Sequence, residues 1–308
     1  MSEAPGRSLF QVHSRRSATI ALSAAMIAWG TTGVAAKAVD MGGMALAAYR
    51  SSVGAVALVA LLYLTGRRLT WAKFRVGIVG GIFLGLDLIL FFSAVKLTTV
   101  ANATVIGALQ PALVILISAP LLGERVARGA SRWALVGLAG STLVVFGAAG
   151  LPDWSVQGDS IAVLALLAWT GYFVASRMIR NKVEALEYAA TTAIVASLVA
   201  WPAAILFHQD VSWPDMQSWL WILGLAIVSG IGGHLLMSVS IPHLPLWASS
   251  TMTLSIPVIS TVTAAIFLGE SVAPAQVVGM VIVLLALAAA IRVSSTGNVI
   301  PAEAATTS

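Results

Sequence analysis

Apolar residues in this 308-residue chain run in ten stretches, separated by short polar segments. The stretches cover residues 18–38, 44–65, 76–96, 99–121, 131–150, 159–180, 186–207, 217–240, 245–268 and 272–292. A helix of about 20 residues rises about 30 Å, the thickness of the hydrocarbon core of a bilayer. Open strands would leave unpaired backbone groups in lipid, and the stretches are too long and too uniformly apolar for barrel strands. The pattern predicts an all-α integral membrane protein with ten transmembrane helices.

Composition agrees with this pattern. Hydrophobic residues make up 59% of the chain and charged residues 9%, with a mean hydropathy of +0.95. A soluble domain could not cover so much apolar surface, so the predicted partner is a lipid bilayer. The net charge of +5 comes from basic residues in short loops, which favours topology signals over a nucleic-acid surface. The absence of cysteine excludes disulfides, thiolate metal sites and cysteine nucleophiles, and leaves the redox compartment undetermined.

The basic residues also predict the orientation of the helices. Fourteen of the seventeen Lys and Arg residues lie at one set of helix ends, whereas the opposite loops carry acidic residues. We therefore expect a multi-pass protein of the plasma (inner) membrane with both termini cytoplasmic, and tryptophans as anchors at both interfaces. The inner basic residues are Arg7, Arg15, Arg16, Arg67, Arg68, Lys73, Arg75, Arg125, Arg128, Arg132, Arg177, Arg180, Lys182 and Arg292. The outer acidic residues are Asp40, Asp153, Asp159, Asp210, Asp215 and Glu270. The predicted anchors are Trp71, Trp133 and Trp247 at the inner interface and Trp154, Trp213, Trp219 and Trp221 at the outer interface.

The N-terminus also resembles a signal peptide, because Arg15 and Arg16 precede an apolar run that ends near Ala36-Lys37-Ala38. A retained first helix is favoured over cleavage, since the run is long for a signal sequence and is repeated later in the chain.

That repeat extends over both halves of the sequence. Trp29 recurs as Trp169, 140 positions later, and Pro111 recurs as Pro257, 146 positions later. The small drift between the two offsets is loop-length variation within one repeated fold. The matching neighbours are Ala28, Val34-Ala35 and Lys37 against Ala168, Val174-Ala175 and Arg177, and Gly123-Glu124 against Gly269-Glu270.

Five helices in each half imply that the two copies insert with opposite orientation, related by a pseudo-two-fold axis in the membrane plane. Such inverted repeats are typical of secondary transporters, where two halves exchange shapes and open one site to either side in turn. The predicted organisation is a cytoplasmic tail over residues 1–17, a first five-helix repeat over 18–150, a second, inverted repeat over 151–292 and a disordered cytoplasmic tail over 293–308.

With two five-helix halves, a Trp in the first helix of each and Pro followed by Leu-Leu-Gly-Glu or Phe-Leu-Gly-Glu in the fourth, the chain resembles the EamA-type branch of the drug/metabolite transporter superfamily. The resemblance covers nearly the whole chain. It implies a ten-helix exporter of amino acids, related metabolites or toxic compounds. It also implies a central cavity lined by helices 1, 3, 4, 6, 8 and 9, with helices 5 and 10 at the periphery.

Ionisable residues inside the predicted helices are the first candidates for a site. Asp87 lies halfway along the third helix, where a carboxylate is costly unless it is paired, protonated or facing water. His234, in the eighth helix, is next to the repeat counterpart of Asp87, so the two side chains are predicted to face each other and to suit proton coupling. Arg50, about 9 Å into the second helix, is a candidate for binding a substrate carboxylate or for pairing with Asp87. Structural roles remain the alternative for all three: a bond to a neighbouring helix or carbonyl, or snorkelling to the interface.

Prolines in mid-membrane predict bends in the fourth and ninth helices. Pro111 and Pro257 each remove an amide donor and crowd the carbonyl four residues earlier, so both are candidate hinges. Gln110 and Asn102 are candidates for a neutral polar lining beside the freed carbonyls, together with Thr104, Thr253 and Ser255. A hinge alone, or helix contact through small hydroxyls, is the competing interpretation.

Trp29 and Trp169 lie in mid-membrane, unlike the boundary tryptophans, and small or polar residues follow each of them, Tyr172 among them. They are candidates for aromatic walls around an amphipathic or aromatic substrate, although packing against lipid or a helix is as common a role. Gly77, Gly81 and Gly85 predict close helix contact along one face of the third helix, and Ser229 with Gly233 repeat the spacing in the eighth. Glu124 and Glu270 are predicted turn caps.

These features favour a secondary active transporter that exports small metabolites such as amino acids by alternating access, with protons as a candidate coupling ion. A passive channel or facilitator and a non-transporting membrane sensor remain alternatives. A membrane enzyme is disfavoured because the histidines at 13, 208, 234 and 243 have no metal-binding spacing. No cofactor, metal site or nucleic-acid partner is predicted, and a monomer or weak dimer is expected.

Overall fold

The computed structural model describes residues 12, 14–98, 100–123, 126, 129–147, 155–179, 182–268 and 271–296, and every regular element in these ranges is helical. We number the helices to match the ten predicted stretches. They are α1 (Arg15–Ala38, interrupted at Thr31), α2 (Gly43–Leu64), α3 (Trp71–Leu97), α4 (Val100–Gly107, continued as Gln110–Leu122), α5 (Ala130–Phe146), α6 (Val156–Met178), α7 (Ala185–Leu206), α8 (Met216–His243), α9 (Leu246–Met252, continued as Ser255–Leu268) and α10 (Pro274–Thr296).

Eight of these helices are long and apolar enough to cross a membrane: α1, α2, α3, α6, α7, α8, α9 and α10. The other two contain shorter apolar helices, Asn102–Ser118 in α4 and Ala130–Phe146 in α5. Seventeen residues of α5 rise about 25 Å, slightly less than the hydrocarbon core. The chain is a multi-pass membrane protein, and ten crossings stay a prediction.

The start of α3 differs from the sequence prediction. The charge pattern predicts Lys73 and Arg75 in a loop, but α3 begins at Trp71 because the Thr70 hydroxyl caps it by accepting from the Lys73 amide at 3.4 Å. Lys73 then reaches α7, where its Nζ lies 2.5 Å from Oε1 of the buried Glu187. A second ion pair on this side joins Arg67 to Glu184.

The structure also differs from the sequence prediction at Trp247. Trp247 is predicted to be an interface anchor, yet it is buried, because α9 packs its first turns inside the protein beside Ala130 and Ala248. Trp71 and Trp213, by contrast, are 70% and 78% exposed, as anchors at an interface would be. The caps predicted at Glu124 and Glu270, and the boundary between the repeats at residue 150, lie outside the described residues.

Four helices depart from regular α geometry near their middle. α4 is interrupted at residues 108–109, just before Pro111, and α9 at residues 253–254, before Pro257. Prolines explain both, since each lacks an amide donor and displaces the preceding turn. In α9 the broken turn is bridged by short i to i+3 bonds such as Thr253 N to the Ser250 carbonyl at 3.0 Å. α1 breaks at Thr31, and residues Leu225–Gly233 of α8 form a π-helix.

The glycines of α3 lie against α7. A Cβ added at Gly81 would lie 2.5 Å from the Cβ of Val195, and Gly77 and Gly85 face Thr191 and Val199 in the same way. Such close approach lets two helices pack without intervening side chains, which is how small residues act in membranes. This contact fixes the position of α3, which carries Asp87.

We predict that Gly81→Ala destabilises the protein by about 1–3 kcal/mol, because the added methyl group overpacks the α3–α7 interface. Thermal unfolding in detergent, followed by size-exclusion chromatography, measures the change. Gly54→Ala is the matched control, since nothing lies within 4 Å of a Cβ added at that helical glycine. Equal melting temperatures for the two variants would contradict the packing role.

Candidate functional site

A cavity of about 890 Å³, including space open to solvent, lies at the centre of the helices. All six helices implied by the family resemblance contribute to it, and α2 adds Arg50. The wall is mostly apolar, with a few polar groups, as is typical of small-molecule sites. Its lining residues are Trp29, Gly30, Thr32, Gly33, Arg50, Asp87, Leu88, Phe91, Phe92, Ala103, Thr104, Gly107, Ala108, Ala162, Ala165, Leu166, Trp169, His234, Thr253, Ile256, Pro257 and Ser260.

In α1, α3, α4 and α6 the lining lies toward one side of the membrane, whereas His234 lies in the other half of α8 and the lining of α9 is central. In α1 it covers residues 29–33, in α3 87–92, in α4 103–108 and in α6 162–169, each shifted toward the helix ends at Ala38, Leu97, Val100 and Val156. The opposite side is packed: all seven residues of Leu246–Met252 are buried, and Arg177 Nη1 donates to the Ile241 carbonyl at 2.7 Å. The cavity therefore lies nearer the face that the charge pattern predicts to be outside.

The repeated tryptophans meet in this cavity. Trp29 and Trp169 are in edge-to-face contact with ring centroids 4.8 Å apart, and Phe173 packs against both. The indole of Trp29 is held from a second side, because its Nε1 donates to the Ser229 carbonyl at 3.1 Å. The result is a fixed aromatic surface, on which a planar or apolar ligand group would pack.

Arg50 is 3% exposed and is held by α8. Its Nη2 donates to Ser229 Oγ at 3.1 Å, its Nε lies 3.4 Å from the Leu225 carbonyl, and its guanidinium carbon is 5.6 Å from the ring centre of Phe92. A guanidinium has five N–H donors, so these contacts leave donors available to the cavity that Arg50 lines. The outward snorkelling that the sequence allows is not seen, because the side chain is directed to α8.

Asp87 is half-buried and lines the same cavity. Within the described residues its carboxylate makes no hydrogen bond and no ion pair within 4 Å, so the direct pairing with Arg50 considered from the sequence is not formed. A guanidinium and a carboxyl group thus share one apolar cavity without contact, and a ligand between them could bind to both.

His234 lies between the aromatic surface and a second set of rings. It is 6% exposed, with ring centroids 5.2 Å from Trp29, 6.3 Å from Trp169 and 5.5 Å from Tyr172. Its Nδ1 is buried and has no hydrogen-bond partner in the described part of the chain. The structure therefore brings His234 and Asp87 to one cavity, as the repeat offset predicts.

The interrupted helices contact each other beside the cavity. Gln110 is fully buried, and its Oε1 accepts from the Thr253 hydroxyl at 3.1 Å, which joins the break in α4 to the break in α9. Pro257 and Thr253 line the cavity, as does Thr104, whereas Gln110 and Pro111 lie behind the wall. The bond between the two breaks couples α4 to α9.

Asn102 and Tyr172 are not among the cavity residues. Asn102 Nδ2 donates to Thr98 Oγ1 at 3.3 Å and to Asp159 Oδ1 at 3.4 Å, so it belongs to a polar cluster between α3, α4 and α6. Tyr172 is fully buried and stacks on Trp169 and Tyr188, with centroids 5.6 and 6.4 Å away. Both lie behind the cavity lining, and their ligand contact stays a prediction.

Some site residues could not be found from the sequence. Ser229 was identified only as a small residue of a helix-packing pattern, yet it contacts both Arg50 and Trp29. Phe91 and Phe92 look like lipid-facing residues in the sequence, because nothing distinguishes them from the apolar residues around them. Within the described residues no group of three or more His, Cys, Asp or Glu side chains could hold a metal ion.

Comparison with known proteins agrees with this architecture. The EamA-like transporter family model matches residues 16–146 and again residues 156–292. The aromatic amino acid exporter YddG of Ancylobacter novellus is 33% identical over 226 residues, which is 70% of this chain and 76% of that protein. The pseudopaline exporter CntI of Pseudomonas aeruginosa is 28% identical over 186 residues, which is 60% of this chain and 63% of that protein.

A solved structure, described only as the crystal structure of a protein, has the same fold. It matches with a TM-score of 0.77 and 24% sequence identity, over 92% of this chain and 100% of its own. The family model covers most of the sequence in two segments, and both named relatives are exporters. The chain belongs to the EamA-like transporter family.

Proposed function

We propose that this protein is a secondary active transporter that exports amino acids with aromatic or other amphipathic side chains by alternating access. The observation that carries the proposal is one cavity that holds the guanidinium of Arg50, the carboxyl group of Asp87 and the aromatic pair of Trp29 and Trp169. An amino acid offers the complementary groups, namely a carboxylate, an ammonium and a side chain. The similarity to a protein named as an aromatic amino acid exporter supports this substrate class.

Each part of the substrate has a candidate partner. The donors that Arg50 does not use on α8 would bind the carboxylate, in the charge-assisted geometry that guanidinium groups favour. Asp87, which has no direct partner in the described structure, would bind the ammonium. The side chain would then pack on Trp29 and Trp169. Burying both substrate charges against opposite charges lowers the cost of moving a zwitterion into a nonpolar cavity.

Alternating access would follow from the repeats. In this proposal residues 18–150 and 151–292 form two five-helix units of opposite orientation with ten crossings, in a plasma (inner) membrane, and both termini are cytoplasmic. With the predicted orientation, the packed inner side at Leu246–Met252 supports an outward-facing state. The breaks before Pro111 and Pro257 would serve as hinges when the cavity changes sides.

Transport in proteoliposomes tests the proposal as a whole. Internal unlabelled tryptophan should accelerate the uptake of external labelled tryptophan, because a carrier reorients faster across the membrane when it binds substrate in both directions. A passive channel would show no such acceleration, and a sensor would show no uptake.

Topology can be tested directly, because the chain has no cysteine. We predict that the Ser14→Cys variant reacts with a membrane-impermeant maleimide only after the membrane is permeabilised, whereas the Val156→Cys variant reacts in intact cells. Val156 is 86% exposed, so its reactivity reports the side of the membrane and not burial. Labelling of both positions from one side would contradict the inverted repeat.

We predict that Arg50→Gln weakens the binding of tryptophan and of indole-3-propionate by about tenfold to a hundredfold, because the charged donor to the carboxylate is lost. Tryptamine, which has the amine and the ring but no carboxylate, should bind with little change. Isothermal titration calorimetry of purified protein measures all three compounds. An equal loss for tryptamine would show that Arg50 supports the cavity and does not bind the carboxylate.

For Asp87→Asn we predict the opposite ligand preference, with weaker tryptophan and tryptamine binding and unchanged indole-3-propionate binding. If Asp87 also carries the coupling proton, this variant should lose accumulation driven by a pH gradient but retain exchange of substrate across the membrane. Counterflow and pH-driven uptake in the same liposomes separate the two functions. Full pH-driven accumulation by Asp87→Asn would remove Asp87 from the coupling mechanism.

A further inference from the structure

The contacts of Ser229 arise from an irregular segment of α8. Residues Leu225–Gly233 are wound as a π-helix, in which each amide donates to the carbonyl five residues earlier. The next amide, that of His234, donates instead to the Gly230 carbonyl, four residues earlier. Within this segment the Ser229 carbonyl accepts a hydrogen bond from the indole Nε1 of Trp29 at 3.1 Å.

The side chain of Ser229 has a direction that is fixed by the same helix. Its Oγ donates to the Leu225 carbonyl at 2.9 Å, which turns a lone pair of the oxygen toward α2. Arg50 Nη2 donates to that oxygen at 3.1 Å, and Arg50 Nε approaches the Leu225 carbonyl. Since Ser229 is fully buried, no water competes for these bonds. One residue therefore holds the guanidinium of Arg50 with its side chain and the indole of Trp29 with its backbone.

We propose that Ser229 is a positioning residue that sets the orientation of Arg50 toward the substrate carboxylate while its carbonyl keeps Trp29 in the aromatic wall. This inference rests on the proposed function, because it assumes that Arg50 binds a carboxylate. It adds that the selectivity for carboxylate-bearing aromatic substrates depends on the π-helical turn of α8. This turn carries Ser229, whose hydroxyl oxygen accepts from Arg50 and whose carbonyl oxygen accepts from Trp29.

The test compares Ser229→Ala with Ser238→Ala in the full-length protein. Ser238 lies in the same helix and is also buried, but among the described residues its hydroxyl bonds only to the His234 carbonyl of its own helix, at 2.7 Å. Removal of the Ser229 hydroxyl should weaken tryptophan binding by about tenfold and tryptamine binding by less than about twofold, because a hydrogen bond to a charged group is lost and the backbone contact to Trp29 remains. Ser238→Ala should leave both affinities unchanged.

A double-mutant cycle with Arg50→Gln then separates positioning from general stability. If Ser229 acts through Arg50, Ser229→Ala should have no further effect on tryptophan binding once Arg50 is replaced. Additive losses, or equal losses for tryptophan and tryptamine, would overturn the inference. Melting temperatures accompany each titration, and Ser229→Cys, with a weakly accepting thiol, replaces Ser229→Ala if the latter does not fold.

The two proposals fail in different ways. Wild-type protein that binds neither tryptophan nor indole-3-propionate would refute the proposed function. Wild-type protein that binds both, with the same tryptophan to tryptamine ratio in Ser229→Ala, would refute only the role of Ser229.

Discussion

The cost of placing a guanidinium in the membrane interior determines much of this structure. Arg50 is nearly fully buried in a helix that crosses the bilayer, where a charge without hydrogen-bond partners costs several kcal/mol. The partners must come from neighbouring helices, because lipid has none to offer. α8 supplies them through a π-helical segment and the hydroxyl of Ser229, and Phe92 adds its ring face. The position of Arg50, the winding of α8 and the orientation of Trp29 are thus consequences of one requirement.

The same requirement explains why irregular helices cluster around the cavity. Breaks in α1, α4 and α9 and the widened turn of α8 all release backbone groups, which lipid could not satisfy. They are tolerated where side chains bond to them: the Trp29 indole donates to the Ser229 carbonyl, and the Thr253 hydroxyl donates to the Ser250 carbonyl. By contrast α2, α6 and α7, which are regular along their described length, pack with α3 through small residues such as Gly81. The framework is regular, and irregularity is confined to the helices that face the cavity.

The sequence predicts those features that depend on the identity of a residue and on spacing. Asp87, Arg50 and His234 are conspicuous because charge is rare in apolar stretches, and the prolines locate the breaks in α4 and α9. The repeat offset also places Trp29 and Trp169 in equivalent positions, and they are in contact. The π-helix of α8 has no such signal, since Leu225–Gly233 reads as an ordinary apolar helix. Roles that depend on three-dimensional contacts, such as those of Ser229 and the buried Trp247, could not be predicted for the same reason.

The two halves are similar in sequence but carry different chemistry, and Gly233 shows why. At the offset of 146 residues it is the counterpart of Asp87, so a strictly duplicated protein would have a second carboxylate here. The space is not available, because a Cβ at position 233 would collide with the indole of Trp29. Trp29 in turn is held there by Ser229. Only the first repeat can therefore present a carboxylate to the cavity, and the indole of its own Trp29 occupies the equivalent place beside Gly233 of the second repeat. A symmetric pair of carboxylates would repel each other and favour a dication, whereas one carboxylate opposite one guanidinium favours a zwitterion. Under the proposed function, the divergence of the repeats at this single position accounts for a net-neutral amphipathic substrate.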